Sequence, residues 1–201
     1  MSKAGLLLVM TGPSGVGKST LVRRVQQDLS EVRFSVSCTT REPRKGEVDG
    51  RDYFFVSPDE FAKRLAQGAF LEHAEVHGNS YGTLRNHVMD EVSAGAVMLL
   101  DIDVQGAGQL RMGTEQAAYL FIEPPSFEAL EARLRGRGTD AADVIERRLR
   151  TAKAELKQAG LFDYRIVNDD LERAAAEFVA LIEALRAAEP SVREGRVEID
   201  P

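Results

Sequence analysis

Three stretches of the chain, Leu6 to Met10, Ala96 to Ile102 and Ala118 to Ile122, run apolar rather than alternating. Strands of this kind are buried on both faces, as in the centre of a parallel sheet. Helical patterns separate them. Thr20 to Leu29 reads as a helix, Leu84 to Ala94 as another stopped by Gly95, and a last one runs from about Leu171 with Phe178, Leu181, Ile182 and Leu185 on one stripe. Alternation of this kind predicts a wound α/β core. The polar stretch after Pro190 is expected to be a mobile tail.

Two segments break the rhythm. Between Phe34 and Thr83 come short strand-like pieces, FSVSC, DYFFV and FLEHAEV, joined by turns. They enclose one marked helix, with Ser57 as N-cap, Pro58 at N1, Glu60 completing a capping box and Gly68 beyond the end. From about Ser126 to Gln158 the pattern is helical and arginine-rich, with a glycine-punctuated hinge in RLRGRGTD. Both read as lobes inserted into the core.

The 201 residues suffice for one α/β domain with small insertions. A formal net charge of -6 argues against a general nucleic-acid or membrane-surface binder, so basic clusters must be local devices. A single cysteine, Cys38, forms no internal disulfide and fits a reducing cytoplasm. The first apolar run is too short for a secretory signal or a membrane span. His73, His77 and His87 lack metal-ligand spacing.

The chemistry begins directly after the first apolar run. In TGPSGVGKST, Gly12, Gly17, Lys18 and Ser19 match the phosphate-loop pattern, between a strand and a helix as that pattern requires. Glycines let backbone N–H groups converge on phosphate oxygens, Lys18 bridges the outer phosphates, and Ser19 offers an oxygen to Mg2+. The donor nucleotide would lie on Gly12, Pro13, Ser14, Gly15, Val16, Gly17, Lys18, Ser19 and Thr20. Such a loop does not choose between a switch, a motor and a kinase.

Arg41 and Arg44 flank Pro43 in a short loop. They could clamp a phosphate dianion or be ordinary charges of a turn. In FLEHAEV, period two puts Phe70, Glu72, Ala74 and Val76 on one face, so a carboxylate interrupts an apolar stripe. It needs either a basic neighbour or a ligand with two adjacent donors. Guanine offers N1–H beside its 2-amino group; adenine, with an unprotonated N1, would leave Glu72 unpaired. AVMLLDID places Asp101 and Asp103 at a strand's carboxyl end, where open α/β sheets form their crevice, although either could be a helix cap. In DVIERRLRTAKAEL, Arg148 falls within the apolar stripe of Val144, Ile145, Leu149, Ala152 and Leu156. It either pairs with Glu155 or clamps a transferred phosphoryl group.

SVSCTTREPRKGEVDGRDYFF, GNSYGT, LLDIDVQG, RGRGT and IVNDD follow the phosphate loop in this order. Over residues 5 to 185 the chain closely resembles guanylate kinase, which phosphorylates GMP from ATP. The resemblance implies a P-loop NTPase-type parallel sheet flanked by helices, with an inserted mixed α/β GMP-binding lobe and a helical lid. It divides the chain into a core (1–36, 84–125 and 159–188), a GMP-binding lobe (37–83), a lid (126–158) and a tail (189–201).

By resemblance, Arg41, Arg44, Tyr53 and Tyr81 hold the GMP phosphate, and Glu72, Ser37 and Thr83 read the guanine. Asp101 belongs to the active site and Asp103 lies close to the substrate. Arg148 acts with Lys18, Asp101 and Arg137 in catalysis and also reaches GMP. Arg137 and Arg133 meet ATP, and Asn168 contacts adenine. Cys38 stands where the family often has serine. The implied partners are ATP with Mg2+ and GMP, or its deoxy form dGMP, acting on a monomer or homodimer. The rival is a catalytically dead, peptide-binding relative; such scaffolds have degraded phosphate loops, and this one is intact.

Overall fold

A computed structural model of the chain describes residues 4–76, 78–113, 116–136 and 141–188. Arg137 and His77, assigned or weighed above, lie outside the described residues, as does the tail 189–201.

In chain order the elements are β1 (Leu6–Thr11), α1 (Lys18–Asp28), β2 (Val32–Phe34), β3 (Ser37–Thr39), β4 (Phe54–Phe55), α2 (Pro58–Ala66), β5 (Phe70–Val76) and β6 (Asn79–Leu84). There follow α3 (Arg85–Ser93), β7 (Val97–Asp101), α4 (Val104–Arg111), β8 (Ala118–Glu123), α5 (Phe127–Gly136), α6 (Ala142–Leu156), β9 (Tyr164–Val167) and α7 (Leu171–Ala187). The strands form a five-stranded sheet, β2-β7-β1-β8-β9, and a four-stranded one, β4-β3-β6-β5. All pairings in the larger sheet are parallel.

The three apolar runs are its central strands, as their lack of alternation predicts. Successive β1 residues serve opposite cores. Leu6, Leu8 and Met10 join a cluster with α1, α5, α6 and α7, while Leu7 and Val9 join one with α3 and α4. The main cluster includes Val16 of the phosphate loop together with Leu130, Leu134, Ile145 and Leu149 of the arginine-rich segment. At about 25 cal/mol per Å2 of apolar surface, this two-sided burial is the main force holding the loop's supports in place.

The segment between Phe34 and Thr83 carries two departures from the sequence reading. Pairing along β5 slips between Phe70, opposite Leu84, and Glu72, opposite Thr83. One extra residue reverses the alternation there, so Phe70 and Glu72 do not share a face. Phe70 stacks on Phe61 at 4.5 Å in the lobe's own cluster, while Leu71 enters a core cluster with Val9 and Leu100. The bulge thus buries two consecutive apolar residues in different cores. In α2, Ser57 accepts from the Glu60 amide at 3.1 Å, but the Glu60 carboxylate turns forward to Arg64 at 2.7 Å. The capping box is half formed because a charged i,i+4 partner outcompetes the return bond.

Candidate active site

The phosphate loop leaves the carboxyl end of β1, and parallel register sets its neighbours. Asp101, last residue of β7, pairs with Met10, two residues before Gly12. The Thr11 hydroxyl donates to the Ile102 carbonyl at 2.8 Å, tying the two strand ends together. Gly12 lies so close to β8 that a Cβ would come within 2.5 Å of the Ile122 carbonyl oxygen. Gly17, at φ 102°, caps α1 in the left-handed region open to glycine. Lys18 folds back over the loop, donating to the Gly12 carbonyl at 2.5 Å and standing 3.7 Å from Asp101. Burial pushes the Asp101 carboxyl above its ordinary range, and Lys18 opposes that shift.

Three strands of the smaller sheet line up the predicted base readers. Ser37 of β3 faces Thr83 of β6, which faces Glu72 of β5. Directly opposed residues share a face, so this is one polar row across the sheet. Thr83 Oγ1 donates to Glu72 Oε1 at 2.6 Å. Only 8% of Glu72 is exposed, and burial raises its carboxyl pKa; the Thr83 hydrogen bond draws it back and the charge of Asp103 pushes it up again. Asp103 itself caps α4, accepting from the Gly106 amide at 2.8 Å, so the cap reading holds for that carboxylate.

Tyr81 lies two residues before Thr83 on the same strand, so it shares that face. Its ring meets Tyr53 edge-on at 6.1 Å, and the Arg41 guanidinium sits 5.3 Å from the Tyr53 ring centroid. Arg41, Tyr53 and Tyr81 therefore converge, while Arg44 is exposed at the rim. Sequence reasoning passed over Glu47. Its two oxygens both accept from Arg41 Nη2, at 2.9 and 3.0 Å, and it accepts another bond from the Arg44 amide at 2.7 Å; these hold its carboxyl below the usual range, while Arg41 Nη1 donates to the Glu42 carbonyl at 2.7 Å. Its signal was the regular spacing Arg41, Arg44, Glu47.

From α6, Arg148 reaches the phosphate loop and donates to Ser14 Oγ at 2.6 Å. Glu155, its alternative partner in the sequence reading, is half-buried on the same helix. Burial raises its carboxyl pKa, the charge of Lys18 lowers it and that of Asp103 raises it. Arg133 and Asn168, expected on the donor nucleotide, both donate to the Val16 carbonyl, at 3.1 and 2.8 Å. Gln109 was not singled out from sequence. Its amide exchanges two bonds with the His73 peptide, at 3.1 and 3.0 Å, fastening α4 to the strand that carries Glu72.

The chain thus holds a glycine-rich phosphate loop with Asp101 beside Lys18, a cluster of Arg41, Tyr53 and Tyr81, and a nearly buried carboxylate at Glu72. Residues 5–185 match the family model described as guanylate kinase. The chain is 50% identical over 182 residues to a guanylate kinase of Thiobacillus denitrificans, covering 90% of this chain and 87% of that protein. It is 47% identical over 199 residues to one of Syntrophotalea carbinolica, covering 98% and 95%. Its fold resembles the crystal structure of guanylate kinase from Anaplasma phagocytophilum, with a TM-score of 0.71, 36% identity, and 96% and 94% of the two chains covered. An intact phosphate loop and likeness along nearly the whole length agree: this chain belongs to the guanylate kinase family.

Proposed function

We propose that the protein transfers the terminal phosphoryl group of ATP to GMP, giving ADP and GDP, in purine nucleotide metabolism. The observation that carries this reading is Glu72, a nearly buried carboxylate held by Thr83 in a polar row with Ser37. Its second oxygen suits the N1–H and 2-amino donors of guanine, and the Ser37 hydroxyl, in the same row, suits O6, the Thr83 proton being given to Glu72. A base lacking those donors displaces water from the second oxygen without replacing its hydrogen bonds, which costs about 1–3 kcal/mol.

Within this reading the lobe 37–83 holds the acceptor, with Arg41, Arg44, Tyr53 and Tyr81 on its phosphate; 126–158 closes as the lid over a core of 1–36, 84–125 and 159–188. A GMP phosphate oxygen attacks the γ-phosphorus of ATP, the bond to the β–γ bridging oxygen breaks, and ADP departs with that electron pair. No strong base is required of the protein, because positioning and charge neutralisation dominate such transfers. Lys18 exchanges the Gly12 carbonyl for the outer phosphates. Arg148, already at Ser14 on the loop, brings its charge to the group in flight. Asp101 keeps Lys18 oriented.

Among the described residues no group of three or more His, Cys, Asp or Glu could cage a metal. An exposed Ser19 hydroxyl and the Asp101 carboxylate are hard oxygen donors, a set that fits Mg2+ arriving with its nucleotide and retaining water. When bound, Mg2+ would supply charge neutralisation at the β- and γ-phosphates. No helix among the described residues is long and apolar enough to cross a membrane, and the buried, unpaired thiol of Cys38 supports a cytoplasmic location.

The test is a coupled ADP-release assay with ATP, Mg2+ and a panel of nucleoside monophosphates. Turnover with GMP far above AMP, CMP and UMP is expected; no turnover with any acceptor overturns the reading.

A further inference from the structure

The Val16 carbonyl, inside the phosphate loop, receives two side-chain donors from outside it. Asn168 Nδ2 donates at 2.8 Å and Arg133 Nη1 at 3.1 Å. Arg133 Nη2 donates in turn to the Asn168 carbonyl at 2.9 Å, closing a triangle of three residues. A carbonyl oxygen has two lone pairs, so both are engaged.

Each support is itself anchored. Asn168 is 7% exposed, and its backbone N–H donates to the Glu123 carbonyl at 2.8 Å, fixing it to the end of β8. Arg133 stands on α5, whose Leu134 packs under the loop so closely that a Cβ on Gly15 would lie 2.7 Å from its Cδ2. At Gly17 a Cβ would lie 2.6 Å from Asn168 Nδ2, so the amide fits against the loop only because that residue is glycine.

Peptide planarity gives the triangle a consequence for the ligand. A trans peptide points its C=O and the following N–H in opposite directions, and this chain has no cis bonds among the described residues. Turning the Val16 oxygen outward to Asn168 and Arg133 therefore turns the Gly17 N–H inward, toward the concave side of the loop. An amide aimed in advance needs no reorientation when an anion arrives.

We propose that Asn168 and Arg133 are positioning residues that set the Val16–Gly17 peptide for phosphate, and so act on the donor whatever base it carries. This rests on reading the loop as the triphosphate site. It differs from an adenine contact by Asn168 in one measurable respect: an adenine contact discriminates bases, whereas a peptide pin does not.

Two substitutions keep the local charge unchanged. Asn168→Leu removes the amide at similar volume, and Arg133→Lys keeps the charge but loses the fork that spans two carbonyls. Affinities of each variant for ATP, GTP, inorganic tripolyphosphate and GMP are measured by calorimetry, and the Gly17 amide is followed by NMR as tripolyphosphate is added. All three polyphosphates are expected to weaken together, by about tenfold for the loss of a buried bond. GMP affinity should stay as in wild type, and the downfield shift of the Gly17 amide should shrink.

Weakened ATP with unchanged tripolyphosphate overturns the proposal in favour of an adenine contact. Unchanged affinities in both variants overturn it as well. Equal loss of GMP binding in both means general loosening, which also rejects it. Lys18→Ala is the control for the underlying reading: if it leaves tripolyphosphate binding intact, the loop is not the donor site and the pin falls with that reading.

Discussion

Thr83 Oγ1 donates to Glu72 Oε1 at 2.6 Å across the β5–β6 pair, and that bond commits one oxygen of a carboxylate that is otherwise nearly out of water. Thr83→Val keeps the shape and removes the donor. We expect kcat/KM for GMP to fall on the order of 10-fold, consistent with loss of a hydrogen bond to a charged group, while Thr83→Ser retains most of it. A double-mutant cycle with Glu72→Gln should be strongly non-additive; additive losses would show that the two side chains act separately.

Glu72→Gln separates function from stability. Its amide cannot accept from two guanine donors, so kcat/KM for GMP should drop on the order of 100-fold, and an unchanged value would mean the base is read elsewhere. Stability should move the other way. The folded carboxyl pKa lies above the ordinary value of 4.5, so the stability linked to its proton is complete below that value and is lost as pH rises through the folded one. At neutral pH the glutamine variant should therefore melt higher, by about 2–4 °C for each kcal/mol relieved. The gain should vanish as pH falls toward the ordinary glutamate range; a neutral-pH Tm below wild type sinks the prediction.

Arg41 is gripped by Glu47 and lies over Tyr53. Arg41→Lys keeps the charge and loses the planar fork. The KM for GMP should rise about tenfold, as expected for a bidentate, charge-assisted contact. IMP, with the same phosphate and a different base, should suffer the same factor in steady-state assays. A loss confined to GMP would assign Arg41 to the base.

Arg148 meets Ser14 on the loop, where the sequence left open a pair with Glu155 or a clamp on the transferred phosphoryl group. Arg148→Ala should lower kcat on the order of 10³-fold while leaving the Kd for GMP nearly intact. Single-turnover kinetics with calorimetric binding would check this. A fully active variant, or one that no longer folds, would point to a structural role instead.

The polar row of Ser37, Thr83 and Glu72 was legible residue by residue but not in its geometry. Period two marked Glu72 as a polar interruption, yet the stripe assigned to it contained Phe70, which the bulge turns to the other face. A bulge is a choice between two burial partners, here Phe61 and the Val9 cluster, and neither is a local neighbour in sequence. The capping box failed for a similar reason: Ser57 delivered its half, whereas Glu60 had a competing charged partner one turn on.

The family resemblance supplied the candidate charged residues, while patterning by itself determined the alternation of strands and helices, the central place of three apolar strands and the phosphate loop. These are local properties, fixed by periodicity, turn chemistry and spacing within a few residues. Tertiary structure alone decided that Arg148 meets Ser14, that Asp103 caps a helix, that Glu47 holds Arg41, and that Asn168 and Arg133 share one carbonyl of the loop. Asn168 and Val16 lie 152 residues apart, and what joins them is the parallel packing of β9 on β8 and β8 on β1. A hydrogen bond depends on a few tenths of an ångström and a direction, and only the packed sheet sets both.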